Sequence, residues 1–477
     1  MSALLRDLEL AVGSGECLWR PDELLPYECD GLTLESRQAA AVVLPRNREE
    51  VQAVVRACRR HEVCFVPRGA GTGLSGGAVS DGGVVIECSR MDRIREVDAV
   101  DRVAVVEPGV VNADLSKAVA HLGLHYAPDP SSQLACTLGG NFAENSGGPH
   151  TLKYGATSRH VLGLELVLPD GEIVELGSRT GFATGYDLVG AVVGSEGTLG
   201  VVTAGTVRLT EIPEAAKTLL AIFSDVVSAC RAVSRIIQAG LVPAALEIVD
   251  QRTIRAVEAS VYAAGLPTDA GAVLLVEIDG PAVDLAGQAK AIRELCASEG
   301  ASRVDVARDE AERQRFWRAR KGAFGAMGRL APDLYVHDAV VPRARLPEVL
   351  DAVCEIGGRY RLKLSNVFHA GDGNLHPNIS FDRRDADELA RVLAAGDEIL
   401  RTCVAAGGVI TGEHGVGSEK RDFMHLVFSD DDLDAMRRLR SVFDPDGVCN
   451  PDKVLPTPHF CAEANPKARG YDRVPFE

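Results

Sequence analysis

Two short segments gather side chains that could hold a cation and move a proton. His369-Ala370-Gly371-Asp372-Gly373-Asn374-Leu375-His376-Pro377-Asn378 sets an imidazole at each end of an Asp-Gly turn, and Gly412-Glu413-His414-Gly415 adds a carboxylate and a third imidazole among glycines. The chain has only 11 histidines, so three in two apolar-flanked motifs point to a shared task rather than to three separate hydrogen-bonded core residues. A hairpin at Asp372-Gly373 brings His369 and His376 face to face. Two neutral imidazoles and the Glu413 carboxylate make a divalent-cation site with open positions, suited to zinc, manganese or iron.

Glycine carries the second signal. The loop Pro67-Arg68-Gly69-Ala70-Gly71-Thr72-Gly73-Leu74-Ser75-Gly76-Gly77 contains the dinucleotide fingerprint G-x-G-x-x-G letter for letter. That fingerprint works only where a helix follows and turns its N-terminus to the pyrophosphate. Here the loop runs through Gly82-Gly83 into the β-branched Val84–Ile86, so the Rossmann reading is rejected. The physical use of the loop survives, because glycines let several backbone N–H groups converge on an anion. A second stretch runs from Pro128-Asp129-Pro130-Ser131-Ser132-Gln133 to Thr137–Gly148, with Gly139, Gly140, Asn141 and Asn145. A third is Gly194-Ser195-Glu196-Gly197-Thr198-Leu199-Gly200-Val201-Val202. Small residues in both let backbone approach a flat ring closely.

The elements that must position these loops are legible from periodicity. Arg48–His61 has apolar residues at helical spacing, Val63–Pro67, Val84–Cys88 and Val103–Val111 read as strands, and Asn112 reads as the N-cap of a helix 113–122. Asp170-Gly171 marks a hairpin between Gly163–Leu168 and Glu172–Leu176. Beyond Pro213 the glycines thin out. Leu219–Phe223, Ala244–Val249 and Val273–Ile278 read as strands and Val226–Ala239 as a helix, an antiparallel sheet with helices on one face.

Composition bounds the function. The 477 residues carry 51 Lys+Arg against 68 Asp+Glu, a formal charge of −17, and 5% aromatics. That sign of charge and scarcity of stacking platforms argue against nucleic acid as a partner. Twelve cysteines without a C-x-x-C exclude a zinc ribbon or a ferredoxin-type cluster and read as reduced thiols. Arg6, Asp7 and Glu9 interrupt any signal-peptide core, and no uncharged apolar run approaches the ~20 residues that span a bilayer. A cytoplasmic protein is expected, held at the inner membrane only through partners.

The ordered set Pro67–Gly77, Pro130-Ser131-Ser132 with Gly139-Gly140-Asn141, and Gly194–Val202 resembles the flavin-binding domain of the vanillyl-alcohol oxidase superfamily. The resemblance spans nearly the whole chain and implies an α+β fold. Its parts are a two-subdomain FAD-binding domain and a cap domain with an antiparallel sheet and helices. The corresponding boundaries are an N-terminal segment 1–35, the FAD-binding domain 36–214, the cap 215–416, and a segment 417–477 that returns to the FAD domain through Asn450-Pro451-Asp452-Lys453. Covalent members attach FAD through His or Cys. Residues 68–77 and 137–148 contain neither, so FAD is expected to be non-covalent, with Cys136 the one thiol beside the second stretch.

The histidine motifs resemble those of FAD-linked 2-hydroxy-acid dehydrogenases and oxidases, a group that includes D-lactate and D-2-hydroxyglutarate dehydrogenases and glycolate oxidase flavin subunits. The glycolate oxidase flavin subunits match best, through Arg320–Arg329, Ala331–Tyr335 and the tail Pro456–Glu463. The resemblance implies His369, His376 and Glu413 as metal ligands, His414 as catalytic base, Asn378 as a substrate contact and Arg320 as the partner of the substrate carboxylate. Dicarboxylate-specific relatives carry a Lys where Val336 stands, which implies glycolate or D-lactate as substrate. The reaction implied is oxidation to the 2-oxo acid by hydride transfer to flavin N5. Electrons would pass to a second flavin-fold subunit and an iron–sulfur subunit. The rival readings are a same-fold flavin enzyme without net oxidation, like the alkyl-ether-lipid synthases, and a metal-dependent hydrolase with purely structural glycine loops.

Overall fold

A computed structural model describes residues 2–456 other than Ala183. Thr457–Glu463, part of the tail that carries the resemblance, and the residues after them lie outside the described residues. The first sheet runs in the order Cys17–Leu18, Ala41–Val43, Val84–Glu87, Phe65–Arg68. Its last three strands are mutually parallel, with Phe65 opposite Val84. The glycine loop is therefore the crossover between adjacent parallel strands, and no helix intervenes. Helix Arg48–Arg60, capped by Asn47, buries Val51, Val54, Val55, Ala57 and Cys58 in this subdomain's core.

The second sheet is antiparallel, in the order Ile94–Asp98, Val103–Val106, Val201–Arg208, Val161–Val167, Ile173–Gly177. The expected hairpin turns at Gly171, whose φ of +86° favours glycine. Asn112 is not a cap. It is the first residue of helix Asn112–Val119, and its buried amide instead donates to Pro128 O at 3.1 Å and Asn141 Oδ1 at 2.9 Å. It thereby ties the second glycine stretch to this sheet.

The cap is built on Arg303–Val306, Ala215–Phe223, Ala272–Gly280, Ala245–Asp250 and Lys363–His369, paired antiparallel in that order. Helices cover both faces, not one. Leu219, Ala221, Leu246, Ile248, Leu274 and Val276 pack with Val233, Ile292, Val353 and Ile399 on one side. Leu220, Ile222, Ala245, Val249, Val273 and Leu275 pack with Ile254, Val257, Phe316 and Trp317 on the other. Burial on both faces is why these strands read as continuous apolar runs rather than alternating ones.

The end of the described chain returns to the first subdomain. Cys449 bridges Phe65 in parallel, Asn450 N–H donates to Phe65 O at 2.8 Å, and the Asn450 amide donates to Gly77 O at 2.9 Å and Glu196 O at 2.7 Å. The 11 described cysteines are all free. No helix among the described residues is long and apolar enough to cross a membrane.

Candidate active site

The Asp372-Gly373 turn forms as expected, with Gly373 at φ +86° and His369 paired across from Asn374. The two imidazoles meet edge to face, 5.1 Å apart at 88°, rather than flat against each other. Glu413 joins them: its Oε1 lies 3.1 Å from His369 Nε2 and 3.2 Å from His376 Nε2. Donor atoms of His369, His376 and Glu413 all lie within 4.8 Å of one another. His414 stacks on His376 at 4.9 Å and 7°.

Two buried carboxylates set this geometry, and sequence reasoning missed both. Glu247, on strand Ala245–Asp250 and fully buried, accepts from His369 Nδ1 at 2.8 Å and pairs with Arg320 at 2.5 Å. Its hold on Nδ1 turns Nε2 toward Glu413 and His376, the outer-shell arrangement that suits a metal-ligating histidine. Asp338, also fully buried, accepts at one oxygen from the Thr411 hydroxyl (2.6 Å) and from the N–H groups of Gly412 (2.8 Å), Glu413 (3.0 Å) and His414 (2.9 Å). Three consecutive amides on one oxygen fix the loop that presents Glu413 and His414. A single acid inside Ala-Leu-Glu-Ile-Val or Val-His-Asp-Ala-Val was the available signal, because a buried charge requires a partner.

Charge follows from these contacts. Burial pulls the His414 imidazole down to about 4, so it is neutral and able to accept a proton. Burial works against charge on His369, but Glu247 and Glu413 outweigh it and hold the ring well above its ordinary value. Burial likewise opposes the Glu413 carboxylate, which His369 and His376 hold well below its usual range. A cation among these donors would take the place of that proton. Two imidazoles, a carboxylate and a fixed outer shell fit a divalent ion.

All three motif groups open on one cavity of about 580 Å³. Pro67, Gly69, Ala70, Gly71, Thr72, Gly73 and Leu74 line it, as do Pro130, Ser131, Ser132, Gly140, Asn141 and Glu196. Arg320, Val336, His369, His376, Asn378, Glu413 and His414 line it as well. Val336 sits directly across the strand pair from Asn378, whose amide donates to His376 O at 2.7 Å. Arg320 is buried, and its Nε has no partner.

Other expected cofactor residues stand behind the wall. Arg68 turns away to donate to Cys29 O at 2.9 Å and Ala78 O at 3.2 Å. Ser75 O receives the N–H groups of Ser418 and Glu419. Gly139 lies against Pro108, where a Cβ would clash. Asn145 ends helix Leu138–Glu144 in the left-handed region. Gly197 lies against Pro67, Gly200 takes φ +150°, Val201 opens its strand, and Asn450 braces two loops. Cys136 does line the cavity, but burial raises its thiol and Asn141 holds it, donating to Sγ at 3.4 Å. A thiol without thiolate character is a poor nucleophile.

Comparison with known proteins agrees with this architecture. Residues 39–177 match the FAD binding domain model, and residues 212–454 match the model of the FAD linked oxidases, C-terminal domain. Glycolate oxidase subunit GlcD of Escherichia coli (strain K12) is 45% identical over 476 residues, covering 100% of this chain and 95% of the relative. A probable mitochondrial D-lactate dehydrogenase of Danio rerio is 33% identical, covering 88% of this chain and 85% of its own. Among solved structures, 4-ethylphenol oxidase from Gulosibacter chungangensis superposes with a TM-score of 0.79 at 18% identity, covering 96% of this chain and 98% of that one, a likeness of fold. Fold and site together define an FAD-linked oxidoreductase. The chain belongs to the FAD-linked oxidase family, and it is similar over its full length to glycolate oxidase subunit GlcD. This membership sets aside the hydrolase reading, in which the glycine loops were only structural.

Proposed function

We propose that the protein oxidises a small 2-hydroxy monocarboxylate, glycolate or D-lactate, to the 2-oxo acid. The observation that carries this reading is the set of polar side chains that shares one cavity with the glycine loops. A buried guanidinium with an unpartnered Nε stands there beside a neutral imidazole and a two-histidine, one-glutamate donor set. Arg320 holds the substrate carboxylate by charge-assisted hydrogen bonds, and Asn378 contacts the substrate. His414 accepts the hydroxyl proton. Bound FAD, held by the three glycine stretches without a covalent link, supplies the two-electron acceptor for the α-hydrogen and its electron pair. A divalent zinc, manganese or iron ion on His369, His376 and Glu413 would polarise the substrate hydroxyl.

Four tests follow from this reading. Anaerobic titration with glycolate, D-lactate and L-lactate should bleach the flavin absorbance with at least one of them. A flavin untouched by all three favours a non-oxidising enzyme of this fold. The cavity offers one carboxylate fork, an apolar Val336 and a Lys321 already paired with Asp129 at 2.9 Å, so a second substrate carboxylate would be buried without a free counter-ion, at a high cost. kcat/KM for 2-hydroxyglutarate should therefore fall at least ~10²-fold below the better monocarboxylate; a preference for the dicarboxylate sinks the substrate reading. Acid precipitation should release all yellow colour into the supernatant, whereas colour in the pellet points to Cys136. Replacing His376 by Ala removes one of three metal ligands. Metal content by elemental analysis should drop while FAD stays bound, and a variant that keeps its metal and the wild-type rate of flavin reduction makes the histidine pair structural.

Electrons leave to partners in this proposal, a second flavin-fold subunit and an iron–sulfur subunit. The described residues hold no cysteine cluster of their own for onward transfer. The chain works in the cytoplasm and meets the inner membrane through those partners.

A further inference from the structure

The boundary between the cofactor-binding and cap domains is crossed by a chain of charges that the chemistry above does not use. On the cofactor side, Asp129 immediately precedes the cavity-lining Pro130-Ser131-Ser132, and His150 precedes helix Thr151–Tyr154. On the cap side, Glu277 lies on strand Ala272–Gly280, and Lys321 ends helix Glu310–Lys321, one residue past Arg320. Asp129 Oδ2 receives His150 Nδ1 and Lys321 Nζ, each at 2.9 Å. Glu277 receives His150 Nε2 at 3.3 Å, Arg313 at 2.9 and 3.0 Å, the Thr218 hydroxyl at 2.7 Å and the Trp317 indole N–H. The His150 ring stacks on Trp317 at 5.2 Å and 29°.

Both ring nitrogens of His150 therefore face carboxylates, which only accept. Each nitrogen must donate, so the ring carries two protons and a positive charge. Burial opposes that charge, but Asp129 and Glu277 outweigh it and raise the imidazolium to about 10. Burial also opposes the anions, yet His150 and Arg313 hold Glu277 at about 2, and His150 and Lys321 hold Asp129 below its ordinary value. Among the described residues, the imidazolium is the one group that joins the two carboxylates directly. Removing it leaves Asp129 to Lys321 and Glu277 to Arg313, with a cation lost from both carboxylates and their direct link across the domain boundary broken.

We infer that His150 is a positioning residue: bridging Asp129 and Glu277, it holds the helix end that carries Arg320 at a fixed distance from the Pro130-Ser131-Ser132 loop, and so sets where the substrate carboxylate sits relative to the cofactor. His150 does not itself line the cavity. Its link to substrate rests on the reading of Arg320 given above, while its hold on the helix does not. His150→Gln keeps a donor at one end only. In the FAD-loaded protein it should leave FAD content unchanged, raise KM for the 2-hydroxy acid about tenfold and keep kcat within about threefold, the pattern of weakened substrate placement.

Amide hydrogen exchange in the substrate-free holoprotein should quicken at least about tenfold in helix Glu310–Lys321 and in residues 128–133, with strand Ala215–Phe223 unchanged. Wild-type exchange in both segments overturns the inference whatever the substrate proves to be. Quickened exchange with an unchanged KM overturns its link to Arg320. If no 2-hydroxy acid reduces the wild-type flavin, the functional reading fails by itself and exchange alone decides the clamp. Should His150→Gln not fold, Asp129→Asn weakens the same clamp from its other end and carries the same expectations, with wild-type exchange again overturning them.

Discussion

His414→Ala should lower the rate of flavin reduction by the proposed 2-hydroxy acid ~10²–10⁴-fold, the usual size of a general-base contribution, while FAD and metal contents should stay at wild-type levels. The ring is well placed for that separation of effects. It stacks on His376 and stands outside the His369–His376–Glu413 donor set, though its donor atom also lies within 4.8 Å of those of Asp338 and His376, and its backbone is held by Asp338 rather than by its own side chain. Removing the imidazole therefore deletes a proton acceptor and leaves the loop in place. Stopped-flow absorbance with elemental analysis reads both quantities. An unimpaired His414→Ala moves the base elsewhere in the cavity and removes the central assignment of the mechanism.

Glu247→Ala should be about as damaging, for a different reason. One buried carboxylate holds both Arg320 and His369, so its loss leaves a buried guanidinium without its counter-ion and the His369 ring without its orienting acceptor. Breaking a buried ion pair by removing one partner costs ~3–5 kcal/mol. That corresponds to a fall of ~10²–10⁴-fold in kcat/KM if the loss is expressed at the site. Glu247→Gln keeps an acceptor oxygen and removes the charge, and should fall between. Steady-state kinetics and metal content on both variants check this. A Glu247→Ala enzyme within tenfold of wild type would show that Arg320 and His369 are held by other groups.

The parts of this site that could be read from sequence are those set by local rules. The Asp372-Gly373 turn, the helix Arg48–Arg60 and the hairpin at Gly171 follow from a few adjacent residues, and all three form. The rejection of a Rossmann unit was legible for the same reason, since no helical pattern follows Gly77. What escaped were contacts between distant segments. Asn112 carries every local mark of a helix cap, yet its amide is drawn to Pro128 and Asn141 by a fold that periodicity does not encode. Glu247 and Asp338 announce themselves only as lone acids in apolar strands, without naming their partners. The second face of the cap sheet was likewise hidden, because strands buried on both sides lose the alternation that tells inside from outside.

The brace made by Asn450 also dictates an order of assembly. Its amide reaches a carbonyl 373 residues earlier, and the Ser418 hydroxyl reaches Glu35 across 383. A chain leaving the ribosome therefore finishes synthesising its cofactor domain long before that domain can close. Segments generally fold as they emerge, but contacts this remote must wait for the whole cap to be made and docked. The contacts that Asn450 makes to Gly77 and Glu196 are thus among the last to form as each chain folds.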